Sequence, residues 1–377
     1  MLELGLRLAD PHPEMYDYVH NGLRGWAFPR NGHGWANTDN PTYVQLNSAG
    51  FNDRERSLAR RNNTVRIAVL GDSMTAETMI PKDKIFTSVM EQHLAAAEVL
   101  NFGINAYNFE QNKRLLDEVV WRYDPQIVLL LVTFENGIAY NLRELGYAYD
   151  SSAPYLVLQN GQLVPDEATS RMKVFGPVRT AFEENYALLA NTSRIFLQFD
   201  RALDRILWHL RRPNRKDPPT REELMRQETL RSYFPDLSPE MVRAWAVSEK
   251  ELIAIRDDVR AHGAEFWVAV PGLKMQTVPD LVERERFRKS IGATSLYLSD
   301  DRLDAFCAKE RIPIIDTSKP MGDYALAHHV PLYGFGANLH GNHWNEQGNL
   351  IAGEIIAQTL AQNYPKSLRY IEAADGQ

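Results

Sequence analysis

The chain has 377 residues, 44% of them hydrophobic and 24% charged, and a net charge of -7. That is a globular composition with room for one large α/β domain with additions, or for two domains, and its acidic balance argues against general affinity for nucleic acid or anionic membrane surfaces. The single cysteine, Cys307, excludes an intrachain disulfide and a cysteine-based zinc site.

The opening "MLELGLRLADP" is too short and too charged for a signal peptide. No run of about 18 apolar residues occurs, so no transmembrane segment is expected in this chain. It is read as soluble as given, with the compartment left open between cytoplasm and periplasm or cell surface. Residues 1–63 are rich in Pro, Gly, Asn and aromatics with weak periodicity, and "PTYVQLNSAGF" reads as a strand and a turn. This segment is expected to lie as a jacket on a later core. Residues 64–377 are read as one domain.

From 65 to 142 the pattern alternates strand and helix. "RIAVLGD", "AEVLNFG" and "QIVLLLVTF" are continuous apolar strands. "FTSVMEQHLAAA" and "EQNKRLLDEVVWRY" are amphipathic helices. The alternation predicts a parallel sheet with helices on both faces, a three-layer α/β/α architecture, flavodoxin-like in outline. A hairpin turning at Asn160-Gly161 and a helical stretch form an insertion at about 143–262. Its basic run "HLRRPNRK" is read as solvated. The helix "MVRAWAVSEKELIAIRDDVRAHG", the strands "AEFWVAVPG" and "RIPIIDTS", and the helix "NEQGNLIAGEIIAQTLAQNY" complete the core. "DAFCAKE" reads as a buried helix face, with Cys307 an inert thiol.

In such sheets ligands bind beyond the carboxyl ends of the strands, and all three strand ends before 143 are polar or small. Ser73 follows the first strand and opens a helix. Its Oγ can be exposed there, and its own N–H can face a developing oxyanion. Ser73 could equally be a helix cap. The second strand end offers backbone N–H groups in "FGINAYN", and the third offers the Asn136 side-chain amide. "HGNHWNEQGN" supplies His340 and His343 before the last helix. This set matches what acyl transfer needs: nucleophile, base and oxyanion donors. His340 and His343 are three apart, but Gly341-Asn342 between them reads as loop and no carboxylate set accompanies them, so no metal is expected. Asn141 either lines the site or caps a helix. Tyr333, Phe335 and Trp344 either line an acyl or sugar surface or are core.

These blocks resemble the SGNH/GDSL hydrolase family. "VLGDSMT", "NFGINAYN", "VTFENG" and "HWNEQGN" match its four motifs in order, and "YVQLNSAGFNDRE" is similar to a bacterial branch associated with cell surfaces and exopolysaccharide. The resemblance implies Ser73 as nucleophile and His343 as base. It implies an oxyanion hole from the backbone of Ser73 and Ala106 and the amide of Asn136, and no cofactor. Three departures stand out. The family's second-block glycine aligns with Ala106, and Gly137 replaces an aspartate. The acid expected three residues before the catalytic histidine is His340, which cannot be an anionic partner. Three readings stay open: a Ser73–His343 dyad, an acid relocated to Asp316 or Glu346, or a weakly active or inactive site. The implied substrate is a small-molecule or carbohydrate ester with a short acyl group such as acetyl. The alternatives are an O-acyltransferase acting on a polysaccharide and a non-catalytic carbohydrate-binding or assembly protein. Oligomeric state stays open.

Overall fold

The computed structural model describes residues 2–9, 15, 18–36, 40–146, 153–167, 189, 193, 195–196, 198–199, 202, 233–336, 341–364 and 367–372. Most of the stretch read as a helical insertion, and His340, lie outside them.

The N-terminal segment holds a helix, α1 (Leu2–Ala9), and two antiparallel hairpins, β1 (Val19–Asn21) with β2 (Gly25–Ala27) and β3 (His33–Ala36) with β4 (Thr42–Gln45). Of these only β4 is visible as pattern. Strands of three or four residues carry too little periodicity to read.

Next come β5 (Val65–Leu70), the single turn α2 (Ser73–Ala76), α3 (Phe86–His93), β6 (Leu94–Ala95), β7 (Ala97–Asn101), α4 (Phe109–Glu118) and β8 (Ile127–Leu131). The expected helix through "HLAAA" stops at His93. Leu94 and Ala95 pair instead with the terminal β13 (Arg369–Tyr370), and Ala96 turns the chain at φ 59°. Tertiary pairing overrides the alanines' helix preference here. The hairpin β9 (Leu156–Gln159) and β10 (Gln162–Pro165) turns at Asn160 and Gly161, both with positive φ, as a two-residue Asn-Gly loop requires. Then follow α5 (Pro239–Ala261), β11 (Glu265–Val270), α6 (Leu281–Ser290), α7 (Leu298–Glu310), β12 (Ile314–Asp316), α8 (Ser318–His328) and α9 (Glu346–Asn363).

Five strands form one parallel sheet in the order β12-β11-β8-β5-β7. Side chains alternate between its faces. Ala68, Leu70, Val128, Leu130 and Val268 pack with Leu115 and Leu116 of α4, Trp245 and Ile255 of α5, and Leu303 and Cys307 of α7. Ile67, Val69, Leu129 and Ala269 pack with Phe86 and Met90 of α3, Met321 of α8, and Ile356 and Leu360 of α9. The fold is thus a three-layer α/β/α sandwich. Both sheet faces are buried, which is why its strands read as mostly apolar runs, with Arg66 of β5 and Glu98 of β7 paired to each other at 2.8 Å. Among the described residues no helix is long and apolar enough to cross a membrane.

The N-terminal segment grips the first βα turn. Asn52 Nδ2 donates to the carbonyls of Ala76 and Glu77, each at 2.9 Å, and Asn101 Nδ2 donates to that of Thr75 at 2.8 Å. A one-turn helix cannot hold itself together, and these two amides satisfy three successive carbonyls at its end. Asp53 carries the grip further, pairing with Arg56 and accepting from the Asn101 N–H.

Candidate active site

Gly71 ends β5. A Cβ there would lie 2.2 Å from Thr75 Oγ1, so only glycine lets the chain turn this sharply. Asp72 is the residue that caps α2, its Oδ1 accepting from the Met74 N–H at 3.0 Å. Ser73 therefore occupies the first helical position, not the cap, and its N–H is one of the first-turn donors that a helix leaves without an internal acceptor. Ser73 Oγ lies 2.9 Å from Nε2 of His343, two sites 270 residues apart in sequence.

The loop carrying His343 is strapped down on both sides. Tyr333 and Trp344 form an antiparallel bridge, the Gly334 N–H donates to the His343 carbonyl at 3.1 Å, and the Asn345 N–H donates to that of Leu332 at 3.0 Å. Asn345 then caps α9 through the Gly348 N–H.

The turn after β8 runs through Phe134–Ile138 in a single π-helical turn, a form frequent at functional sites. Asn136 sits in it; its side chain lies outside what the structure describes. The turn is tied to the serine loop by Thr133, a residue that sequence reasoning passed over. Thr133 Oγ1 donates to Asp72 Oδ2 at 2.6 Å and accepts from the Gly137 N–H at 2.8 Å. A Cβ on residue 137 would meet Thr133 Oγ1 at 2.7 Å, so the glycine fits a close approach that an aspartate would fill. Burial pushes the Asp72 carboxyl up, while the Thr133 and Met74 hydrogen bonds pull it down. Asp72 thus acts behind the serine, as an acceptor for both loops.

In the loop after β7, Gly103 packs against α2, where a Cβ would lie 2.3 Å from the Ala76 nitrogen. Ala106 adopts φ 60°, a left-handed backbone unusual for alanine, in a turn closed by the Tyr107 N–H on the Ile104 carbonyl.

The candidate acids lie elsewhere. Asp316 accepts from both the backbone N–H and the hydroxyl of Ser318. Glu346 pairs with Lys84 at 2.6 Å on the surface. Among the described residues neither carboxylate hydrogen-bonds His343. Asn141 is buried and resolves as a structural cap, accepting from the Phe109 N–H at the start of α4 and donating to Gly137 O and Ser248 Oγ. It does not line the pocket. Trp344 is fully buried between Phe86 and Tyr333, so it is core and not a substrate surface.

Tyr333 does line the pocket beside Ser73 and His343, together with Met74, Phe134, Leu273 and Lys274. Its hydroxyl donates to the Gly272 carbonyl at 2.6 Å, bracing the loop after β11. Leu273 and Lys274 were not anticipated. The position of "VPGLK" beyond a sheet strand was the available signal. Among the described residues no group of three His, Cys, Asp or Glu could hold a metal ion.

No protein-family model and no curated protein matches the chain. Solved structures do align with it. The acetyl xylan esterase AlAXEase shares 10% identity over 78% of this chain and 100% of its own, with a TM-score of 0.38. A member of the lipolytic protein G-D-S-L family from Veillonella parvula shares 10% over 79% and 100%, with a TM-score of 0.36. A lipase/acylhydrolase from Enterococcus faecalis shares 12% over 82% and 100%, with a TM-score of 0.35.

Proposed function

We propose that this chain is a serine ester hydrolase of the SGNH type, acting on short acyl esters. One observation carries the reading: Ser73 Oγ and His343 Nε2 lie at 2.9 Å, at the carboxyl edge of a parallel sheet. A serine at a helix start beside an imidazole is an activated nucleophile with its base.

Ser73 Oγ attacks the ester carbonyl carbon as His343 Nε2 takes its proton. The oxyanion formed is held by the N–H groups of Ser73 and Ala106 and by the Asn136 amide. His343 returns the proton to the departing alkoxide, leaving an acyl-serine. It then takes a proton from water, which attacks the acyl carbon, and hands that proton to Ser73 Oγ as the serine departs and the carboxylic acid is released. Met74, Phe134, Leu273 and Tyr333 crowd the pocket and favour a small acyl group. Acetyl on a carbohydrate hydroxyl is the substrate class this reading takes, by analogy with the exopolysaccharide-associated branch that the N-terminal motif resembles.

Diisopropyl fluorophosphate followed by peptide mapping tests the assignment. The reading expects a single adduct on Ser73, absent in Ser73→Ala and formed far more slowly in His343→Ala. A protein left unlabelled under conditions that label a control serine esterase would contradict it.

A further inference from the structure

The turn Ile104–Tyr107 has positive φ at the second of its two central residues, Ala106, and not at the first, Asn105. That is the type II arrangement, which glycine favours at this position. Alanine prefers the type I turn, in which the central peptide is rotated by about half a turn so that its C=O and N–H exchange directions. That central peptide is the Asn105–Ala106 unit, whose N–H is the oxyanion donor in the reading above.

Its orientation is held from outside the loop. Trp26 Nε1, on β2 of the N-terminal segment, donates to the Asn105 carbonyl at 3.0 Å. The peptide is trans, so a carbonyl aimed at Trp26 sends the Ala106 N–H the opposite way. Asn105 Oδ1 is buried with no partner among the described residues, so that atom does not steady the turn. Trp26 is itself fixed: its carbonyl accepts from the Tyr107 hydroxyl at 2.5 Å, its ring meets the Tyr107 ring edge-on at 5.7 Å, and Arg24 Nη1 donates to the same hydroxyl at 3.0 Å. Gln111 Nε2 donates to the Arg24 carbonyl at 2.6 Å, tying β2 to the start of α4.

We propose that Trp26 is a positioning residue for the oxyanion hole: its indole N–H locks the Asn105–Ala106 peptide in the orientation that offers the Ala106 N–H to the reaction. This rests on the esterase reading above. The N-terminal segment thereby does for alanine what glycine's freedom does unaided. Without the indole donor, the turn relaxes to the type I form and turns a carbonyl toward the place of the oxyanion.

Trp26→Phe tests this, since it keeps an aromatic ring against Tyr107 and removes only the donor. Expected is a fall in kcat of about 100-fold to 1000-fold with KM within about twofold, as for loss of one oxyanion donor. In that background Ala106→Gly should restore most of the lost kcat, because glycine adopts the type II turn at no steric cost. A merely structural role for Trp26 would not respond to that rescue. Val44→Ala, a core truncation in the same segment, controls for loss of stability and should leave kcat unchanged at temperatures below its unfolding. Unchanged kcat in Trp26→Phe, or no rescue by Ala106→Gly, overturns the proposal. NMR of the Ala106 backbone separates this from the esterase reading, because it needs no turnover. Positive φ in the wild type that becomes negative in Trp26→Phe supports the lock even if no ester is hydrolysed, and positive φ retained in Trp26→Phe refutes it.

Discussion

Thr133 and Asp72 are joined by a hydrogen bond of 2.6 Å from Oγ1 to Oδ2, and Thr133 Oγ1 also accepts from the Gly137 N–H. One buried hydroxyl thus couples the turn that starts with Ser73 to the turn that contains Asn136. Thr133→Val keeps the shape and leaves the Asp72 carboxylate and the Gly137 N–H without this partner. The expected cost is about 1–3 kcal/mol in denaturant unfolding, the usual penalty for stranding a buried polar group. On an acetyl ester kcat should fall more than KM rises, since the hydroxyl is spent on aligning the two loops even though Thr133 lines the pocket.

Gly137 is held to glycine by the same hydroxyl. Gly137→Ala places a Cβ 2.7 Å from Thr133 Oγ1, an overlap expected to cost about 1–3 kcal/mol. Combining it with Thr133→Ala should cost less than the sum of the two single changes, because the second removes the obstruction created by the first. A double-mutant cycle by urea unfolding checks the coupling.

Two buried carboxyls tie stability to pH. Burial, reinforced by nearby Asp316, pushes Asp300 up to about 7, and burial pushes Glu77 well above the ordinary carboxylate range. A raised folded-state pKa means the native protein binds protons that the unfolded chain has released. Stability from Asp300 is therefore complete below about pH 4 and is lost as pH rises toward 7, where the folded group ionises. The contribution of Glu77 likewise falls as pH rises above the ordinary carboxylate range. Asp300→Asn, which can still accept from Gln276, should flatten the decline between pH 4 and 7 and unfold at higher temperature than the wild type at pH 8. Thermal melts across this range provide the check.

Asn52 is buried, and its amide serves the carbonyls of Ala76 and Glu77. Asn52→Ala strands both at the end of a helix too short to stand alone. A loss of about 1–3 kcal/mol is expected, with faster amide hydrogen exchange concentrated in residues 73–78. Uniformly faster exchange across the chain would instead indicate a global effect.

The sheet was legible because its strands are mostly apolar runs that alternate with amphipathic helices. The loops bearing Ser73 and His343 could be located the same way, since each adjoins a core element. Their contact could not: no local pattern encodes a hydrogen bond across 270 residues. Thr133 and Trp26 escaped notice for the same reason, as each matters only through partners distant in sequence. Trp344 and Asn141, each open in the sequence between a site role and a structural one, show what packing adds. An aromatic beside a histidine and an amide near a strand end look functional in one dimension, and packing makes one core and the other a cap.

The most direct test is initial-rate hydrolysis of p-nitrophenyl acetate by the wild type, Ser73→Ala and His343→Ala at matched concentration and confirmed folding. Wild-type turnover should exceed the spontaneous rate and fall by at least about 1000-fold in each variant, as expected when either member of a nucleophile–base pair is lost. Wild-type and Ser73→Ala rates that are equal would contradict the assignment of Ser73 as nucleophile, and with it the central claim.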